Sequence, residues 1–188
     1  MSTAVQVCSN ALLTLGQRPI NSFQDLSDSV LAAANLWPMV RDAVLRAHPW
    51  NCATKRVVLS PETTAPAFGY DYRFILPGDC LRVLSVGRDQ SEEFPYVIES
   101  GELLCDESAV YLRYVFRNEL PATWDAILNR AMTAAMAEVL AVPATGDLQK
   151  KQAANNDYLL ALQQARAIDG QEVPPETLGD FPLLAGRF

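Results

Sequence analysis

The seven residues Val110-Tyr111-Leu112-Arg113-Tyr114-Val115-Phe116 decide how this chain is organised. Tyr111, Arg113 and Val115 alternate with Leu112, Tyr114 and Phe116, the period of two that sends successive side chains to opposite faces of a strand. Working back from there, Lys55 to Leu59, Tyr70 to Leu76, Leu81 to Val86 and Phe94 to Ile98 are equally short and rich in Val, Ile, Tyr and Phe. Turn formers separate them: Ser60-Pro61, Pro77-Gly78-Asp79, Gly87-Arg88-Asp89 and Glu99-Ser100-Gly101. No helical period falls between these runs. They predict a small antiparallel sheet over residues 52–118 rather than a parallel fold.

On both sides of this stretch the period changes to that of a helix. Val5, Cys8, Leu12 and Leu15 recur at steps of three and four, followed by Gly16 and Pro19 as stop signals. A second helix is expected from a Ser27 cap, with Ala33, Trp37, Val40, Val44 and Ala47 on one face and Pro38 as a kink or break. Pro49 ends it. Helix returns at Pro121, with Trp124, Ile127, Ala131, Ala134, Ala135 and Val139 along it and Pro143 closing it. A fourth helix is expected from Asp147 to just before Gly170, with Tyr158, Leu159, Leu162 and Ala165 turned inward. Small residues from Ala131 to Ala141 allow a neighbouring helix to approach closely.

The expected architecture is therefore mainly α with inserted β, an α+β chain. Residues 1–51 and 119–169 make a discontinuous four-helix bundle, because two helices alone bury too little. Residues 52–118 are the inserted sheet, and residues 170–188 form an extended C-terminal arm. Chain length is consistent with this. At 188 residues, 49% of them apolar and 20% charged, the chain can bury roughly 70% of its unfolded surface, enough for one sizeable core.

Charge and cysteine usage exclude several classes of function. Fifteen Lys and Arg stand against 22 Asp and Glu, a formal net charge of −7. Tight nucleic-acid binding draws on cations that neutralise phosphates, so this balance argues against it. Cys8, Cys52, Cys80 and Cys105 show none of the short spacings of zinc or redox sites and are expected to be reduced and mostly buried. No apolar run approaches the ~20 residues of a membrane span. Met1-Ser2-Thr3-Ala4 lacks the basic flank and apolar stretch of a signal peptide, so synthesis inside the cell is expected.

The search for chemistry returns little. His48, the only histidine, lies four residues before Cys52, a spacing that would pair them on a helix, but Pro49 intervenes. The simpler reading is a loop histidine near a structural thiol. Glu92, Glu93, Glu99 and Glu102 are numerous enough for a carboxylate pair of the kind glycosidases use, yet acidic hairpin tips are usually just solvated. Lys55, Arg56, Arg113 and Arg117 read as alternating charges on a half-exposed sheet, and no glycine-rich loop opens a helix. Trp37, Trp50 and Trp124 are expected in the core. Phe181, Leu183, Leu184 and Phe188 follow the Pro174-Pro175 break, where a filled core has no need of them. They either fold back over their own domain or bury themselves in a partner.

Several local strings resemble the tail tubular protein A family of short-tailed bacteriophages, the head-to-tail adaptors or gatekeepers. These are Asn10-Ala11-Leu12-Leu13-Thr14-Leu15-Gly16 with Arg18-Pro19-Ile20, then Ala32 to Arg46 with Trp37 and Arg41-Asp42, running into His48-Pro49-Trp50-Asn51. The likeness is strongest from Tyr72-Arg73-Phe74 through Leu76-Pro77-Gly78-Asp79-Cys80-Leu81-Arg82-Val83. It covers Met1 to about Gly170, in structural strings rather than catalytic signatures. The resemblance implies a virion protein of the portal vertex, in a ring typically of twelve copies. Such a ring joins the portal protein to the tail nozzle, offers docking sites for tail fibres or spikes, and lines the channel through which double-stranded DNA leaves.

On this reading no enzymatic activity, cofactor, metal or membrane contact is expected, and Phe181, Leu183, Leu184 and Phe188 are the partner-binding residues. An acidic protein suits a channel through which DNA must move without sticking. Two rivals stand beside it. One is a tail-associated glycan- or wall-degrading hydrolase that works through the glutamates. The other is a tail-completion or terminator protein at a different junction.

Overall fold

A computed structural model of the chain describes residues 2–25, 27–87 and 93–172. It contains four helices and two small antiparallel sheets, an α+β fold. The helices are α1 (Ala4–Thr14), α2 (Asp28–Arg46), α3 (Ala126–Thr145) and α4 (Leu148–Gln171). Between α2 and α3 run β1 (Thr54–Leu59), β2 (Tyr72–Ile75), β3 (Cys80–Val86), β4 (Val97–Glu99), β5 (Glu102–Cys105) and β6 (Val110–Phe116).

Local chemistry sets the helix ends. Thr3 and Gln6 form a reciprocal capping box on α1, and Ser27 accepts from the Val30 N–H at the start of α2. Gly16, at φ +74°, ends α1: its N–H reaches the Leu13 carbonyl while the Gln17 N–H reaches that of Leu12. Pro38 neither ends nor splits α2. It sits on the exposed face, where the carbonyl one turn earlier can turn to water.

α3 is the central helix, and α1, α2 and α4 all pack on it. Its buried face is mostly small, with Ala131, Ala135, Ala137 and Ala141 set between Leu128, Met132, Met136 and Leu140. α4 answers with Ala154, Ala161 and Ala165, so the two backbones come close. Trp37 of α2 stacks on Trp124 with ring centroids 6.1 Å apart, and Trp50 donates its indole N–H to the Val44 carbonyl. All three tryptophans are buried, as their positions predicted.

The strands divide into two three-stranded sheets, β1-β6-β3 and β2-β5-β4, rather than one. A second apolar core lies with them, built from Phe74, Val86, Leu103, Cys105, Val110, Leu112 and Tyr114. The alternation in β6 holds: Val110, Leu112 and Tyr114 belong to that core, while Val115 belongs to the helical one. β3 carries two register shifts against β6, between Cys80 and Arg82 and between Val83 and Ser85. The residues left out of register are Leu81 and Leu84, and both pack on the helical core. A bulge re-aims the side chain it leaves unpaired, and here two of them fasten a sheet to the helices. Arg46 of α2 donates to the carbonyl of Leu81, and Arg82 donates back to that of Arg46 at 3.4 Å.

Charged and polar groups complete the seam. Arg41, only 7% exposed, donates to Asp42 at 2.8 Å and to Glu119 at 3.0 Å, and Arg117 reaches the other Asp42 oxygen at 2.9 Å. The buried Asn118 amide donates to the Cys52 carbonyl and the Thr123 hydroxyl while accepting from the Leu120 N–H. It thereby ties together the points where the chain enters and leaves the strand region.

Four sequence expectations need correction. Pro121 opens a short 3-10 turn, Pro121–Thr123, and α3 begins only at Ala126, capped by Asp125. Pro143 does not close α3: it lies exposed in the last turn, and the helix runs on to Thr145 and stops at Gly146, φ +67°. Gly170 lies inside α4, so the first residues assigned to the arm are still helical. Leu159 is 55% exposed rather than inward, because the buried face of α4 centres on Ala154, Ala161, Leu162 and Ala165.

Candidate docking site

A groove of about 1050 Å³ lies between α1 and α4 and is floored by α3. Its origin lies in the sequence. α1 and α4 each pack on α3 but scarcely on each other, and the residues facing the gap are small. Ala134, Ala137, Ala154 and Ala161 leave room that leucines would have filled. The rim is polar, with Asn10, Arg130 and Asp157 among its residues. At one end Lys150 bonds the Leu15 carbonyl at 2.9 Å, closing the gap between the end of α1 and the start of α4. Such a mixed, elongated groove suits a peptide segment better than a reaction centre.

A second feature fixes where α4 ends. Asp169 bonds His48 Nε2 through Oδ2 at 3.1 Å and accepts the Asn51 N–H through Oδ1 at 3.0 Å. Its carbonyl accepts from the Asn51 side-chain amide, and Arg166 donates to the Ala47 carbonyl at 3.0 Å. The last turn of α4 is thus clasped to the loop after α2, and His48 packs edge-on to Trp50. Burial is the main influence holding the His48 pKa below the ordinary imidazole value. Asp169 pulls it up, while Arg166 and Arg82 push it down.

His48 and Cys52 do not form a nucleophilic pair. The imidazole faces Asp169, and burial pushes the Cys52 thiol up to about 11, far from a reactive thiolate. Cys8, deeper in the helical core, is pushed up to about 12 by burial. All four cysteines are free thiols, two buried and two half-buried. Trp50 and Cys52 line a smaller hollow of about 260 Å³ beside Asp125 and Asp169.

The predicted acidic cluster lies on β-hairpins. Glu99 and Glu102 are direct cross-strand partners at the turn between β4 and β5, where Ser100 and Gly101 take positive φ. Glu102 pairs with Arg73 at 3.4 Å, and Glu93 bridges Gly87 beside β3. Glu92 lies outside the described residues. Neither Glu99 nor Glu102 lines either concavity.

Two of the four basic residues singled out in and beside the first and last strands, Lys55 and Arg117, are answered by acids. Lys55 bonds Asp79 at 2.8 Å and lies over the Phe116 ring at 3.8 Å, and Arg117 bonds Asp42. Asp79 also accepts from Tyr114 at 3.0 Å. Burial works to raise the Asp79 pKa, but the bonds from Lys55 and Tyr114 outweigh it and hold the carboxyl below its usual value. Tyr114 is correspondingly pushed up to about 12, by burial first and then by Asp79.

The expected partner-binding residues Phe181, Leu183, Leu184 and Phe188 lie outside the described residues. Sequence reasoning missed the groove and the clasp. A surplus of alanine along both α3 and α4 was the available signal for the groove. Nothing local signals a bond between residues 121 apart.

Among the described residues no cluster of histidine, cysteine or carboxylate side chains could hold a metal ion, and no helix is long and apolar enough to cross a membrane. No protein-family model matches this chain, and no curated protein matches it.

Proposed function

We propose that this chain is a structural virion protein, a head-to-tail adaptor whose copies form a ring, of about twelve on the family resemblance, between the portal protein and the tail nozzle. In that place it lines the channel for double-stranded DNA and offers its outer face to tail fibres or spikes. One observation carries the reading: the strings that resemble the adaptor family supply the fastenings of this fold. Arg41 and Asp42 bind the strand region to α2, Asp79 gathers Lys55 and Tyr114, and Leu81 and Arg82 join β3 to the helices. His48 and Asn51 hold the end of α4, from which residues 173–188 continue. A body braced in this way, with an apolar segment beyond its last helix, suits a connector that works by fitting surfaces together. A net charge of −7 suits passage of DNA without retention.

In this reading Phe181, Leu183, Leu184 and Phe188 anchor the subunit in the portal. The test is a fourfold change of these residues to Ser in the full chain, followed by mixing with portal-bearing heads and imaging. The wild-type protein should join the heads as a ring, and the variant should keep its circular dichroism and a cooperative unfolding transition while losing attachment. Normal attachment of the variant refutes the anchor; failure of the wild-type protein to bind any capsid vertex refutes the adaptor.

A further inference from the structure

We propose that, before assembly, residues 173–188 lie back along their own subunit and occupy the groove between α1 and α4. The groove and the reach are independent of the adaptor reading; only the purpose, storing an anchor until its partner arrives, rests on it.

Reach is the first argument. From Glu172 back to Ala161 is 11 residues of α4, about 17 Å along the helix, and to Lys150 is 22 residues, about 33 Å. The groove borders α4 along that interval. Sixteen residues follow Glu172, and an extended chain of that length spans up to about 50 Å. Phe181, nine residues on, can reach about 30 Å, level with Ala153 about 29 Å back along α4, so a segment running antiparallel to α4 sets Phe181 opposite the alanine-lined part of the groove and carries Leu183 and Leu184 to its Lys150 end and past it.

Chemistry is the second. The segment supplies five large apolar side chains, Leu178, Phe181, Leu183, Leu184 and Phe188, and no intervening helix period, with Pro174, Pro175 and Pro182 favouring extended backbone. The groove supplies the complement, a floor of small side chains under a rim that holds amide, guanidinium and carboxylate groups able to bond an extended backbone. The clasp is the third. With Asp169 and Arg166 fastened to the loop after α2, the departure point of the segment is fixed, which lowers the entropy lost on docking.

A pair of engineered disulfides in the full chain tests this. Phe181→Cys, the residue level with Ala153 in this register, is combined with Ala153→Cys on the groove wall, or with Gln163→Cys, which is also exposed but off the groove. The chain is oxidised at high dilution and the bridges are mapped by mass spectrometry, which separates them from any formed by the native thiols. A free tether favours Gln163, the nearer site to Glu172. Docking favours Ala153, with bridging within one chain roughly tenfold faster, the ratio that about 1.4 kcal/mol of preference gives. Equal or faster bridging at Gln163, or no bridge at Ala153, overturns the proposal. Bridges between chains also overturn it and assign the groove to a neighbouring copy. None of these results involves a portal, so the adaptor reading stands or falls separately on attachment to heads.

Discussion

His48 Nε2 stands 3.1 Å from Asp169 Oδ2, joining residues 121 apart in the chain. The carboxylate is largely buried and also receives the Asn51 N–H. Taking it away leaves a ring nitrogen and a backbone donor without their acceptor, a loss of roughly 1–3 kcal/mol. Asp169→Ala should therefore lower stability by that amount in urea denaturation. It should also speed amide exchange in the last turn of α4 well before the rest of the helix, since the clasp is what holds that turn. Unchanged exchange there would mean that packing of Ala165 alone secures the helix end.

The burial of His48, against the upward pull of Asp169, makes stability depend on pH. Burial keeps the folded His48 below the usual imidazole pKa of about 6.5, so the unfolded chain takes up a proton first as pH falls. Stability from this group is complete above about pH 6.5 and is lost as pH falls from there through the folded value. Urea midpoints measured from pH 8 to pH 5 should decline, and His48→Gln should flatten that part of the decline. Asp169, Arg166 and Arg82 surround the ring and are unaltered in that variant. An identical pH profile for both proteins would assign the decline to other groups.

Docking of β3 to the helices rests on the two out-of-register residues. Leu81 and Leu84 are half-buried against the helical core, so Leu81→Ala should cost about 1–2 kcal/mol, a fraction of the full burial of a leucine. Val58 on β1 is comparably apolar but 57% exposed, and Val58→Ala should stay within about 0.5 kcal/mol. Thermal unfolding of the two variants separates them.

How much of this was legible depended on whether the deciding interaction was local. Ser27, Asp147 and Gly16 announced helix ends because a cap acts within one turn, and the alternation in Val110–Phe116 separated the two faces of that strand without naming the core that each meets. Pro143 misled because proline near a helix end loses only one backbone bond, which an exposed last turn tolerates. β5 was missed altogether. Glu102-Leu103-Leu104-Cys105 is too short for a period, and its strand character comes from pairing with β2 and β4. The division into two sheets follows from such pairings, and so do the groove and the clasp.

Thiol labelling offers an independent check on the core. With its pKa pushed to about 12, roughly one Cys8 in ten thousand is ionised at pH 8, and its sulfur is also buried. Iodoacetamide at that pH should modify Cys52 and Cys80, which are half-buried, before Cys8 and Cys105, which are buried. Cys8 should react only at the rate at which the protein opens, read by mass spectrometry of timed samples. Early modification of Cys8 would show that α1 detaches from α3 in the native state.

The seam between α3 and α4 makes small residues more consequential than large ones. Ala131 is fully buried in the central helix, against neighbours that already fill the space, so Ala131→Leu must push α3 away from what it contacts. Overpacking of this kind costs about 1–3 kcal/mol. Leu159, by contrast, is 55% exposed on the flank of α4, and Leu159→Ser should change stability by no more than about 0.5 kcal/mol. For a chain of this size each kcal/mol moves the thermal midpoint by roughly 2–4 °C, so scanning calorimetry resolves the two variants. The reverse order, with Leu159→Ser the more damaging, would mean that Leu159 is covered in the folded protein and that α4 presents a different face to α3.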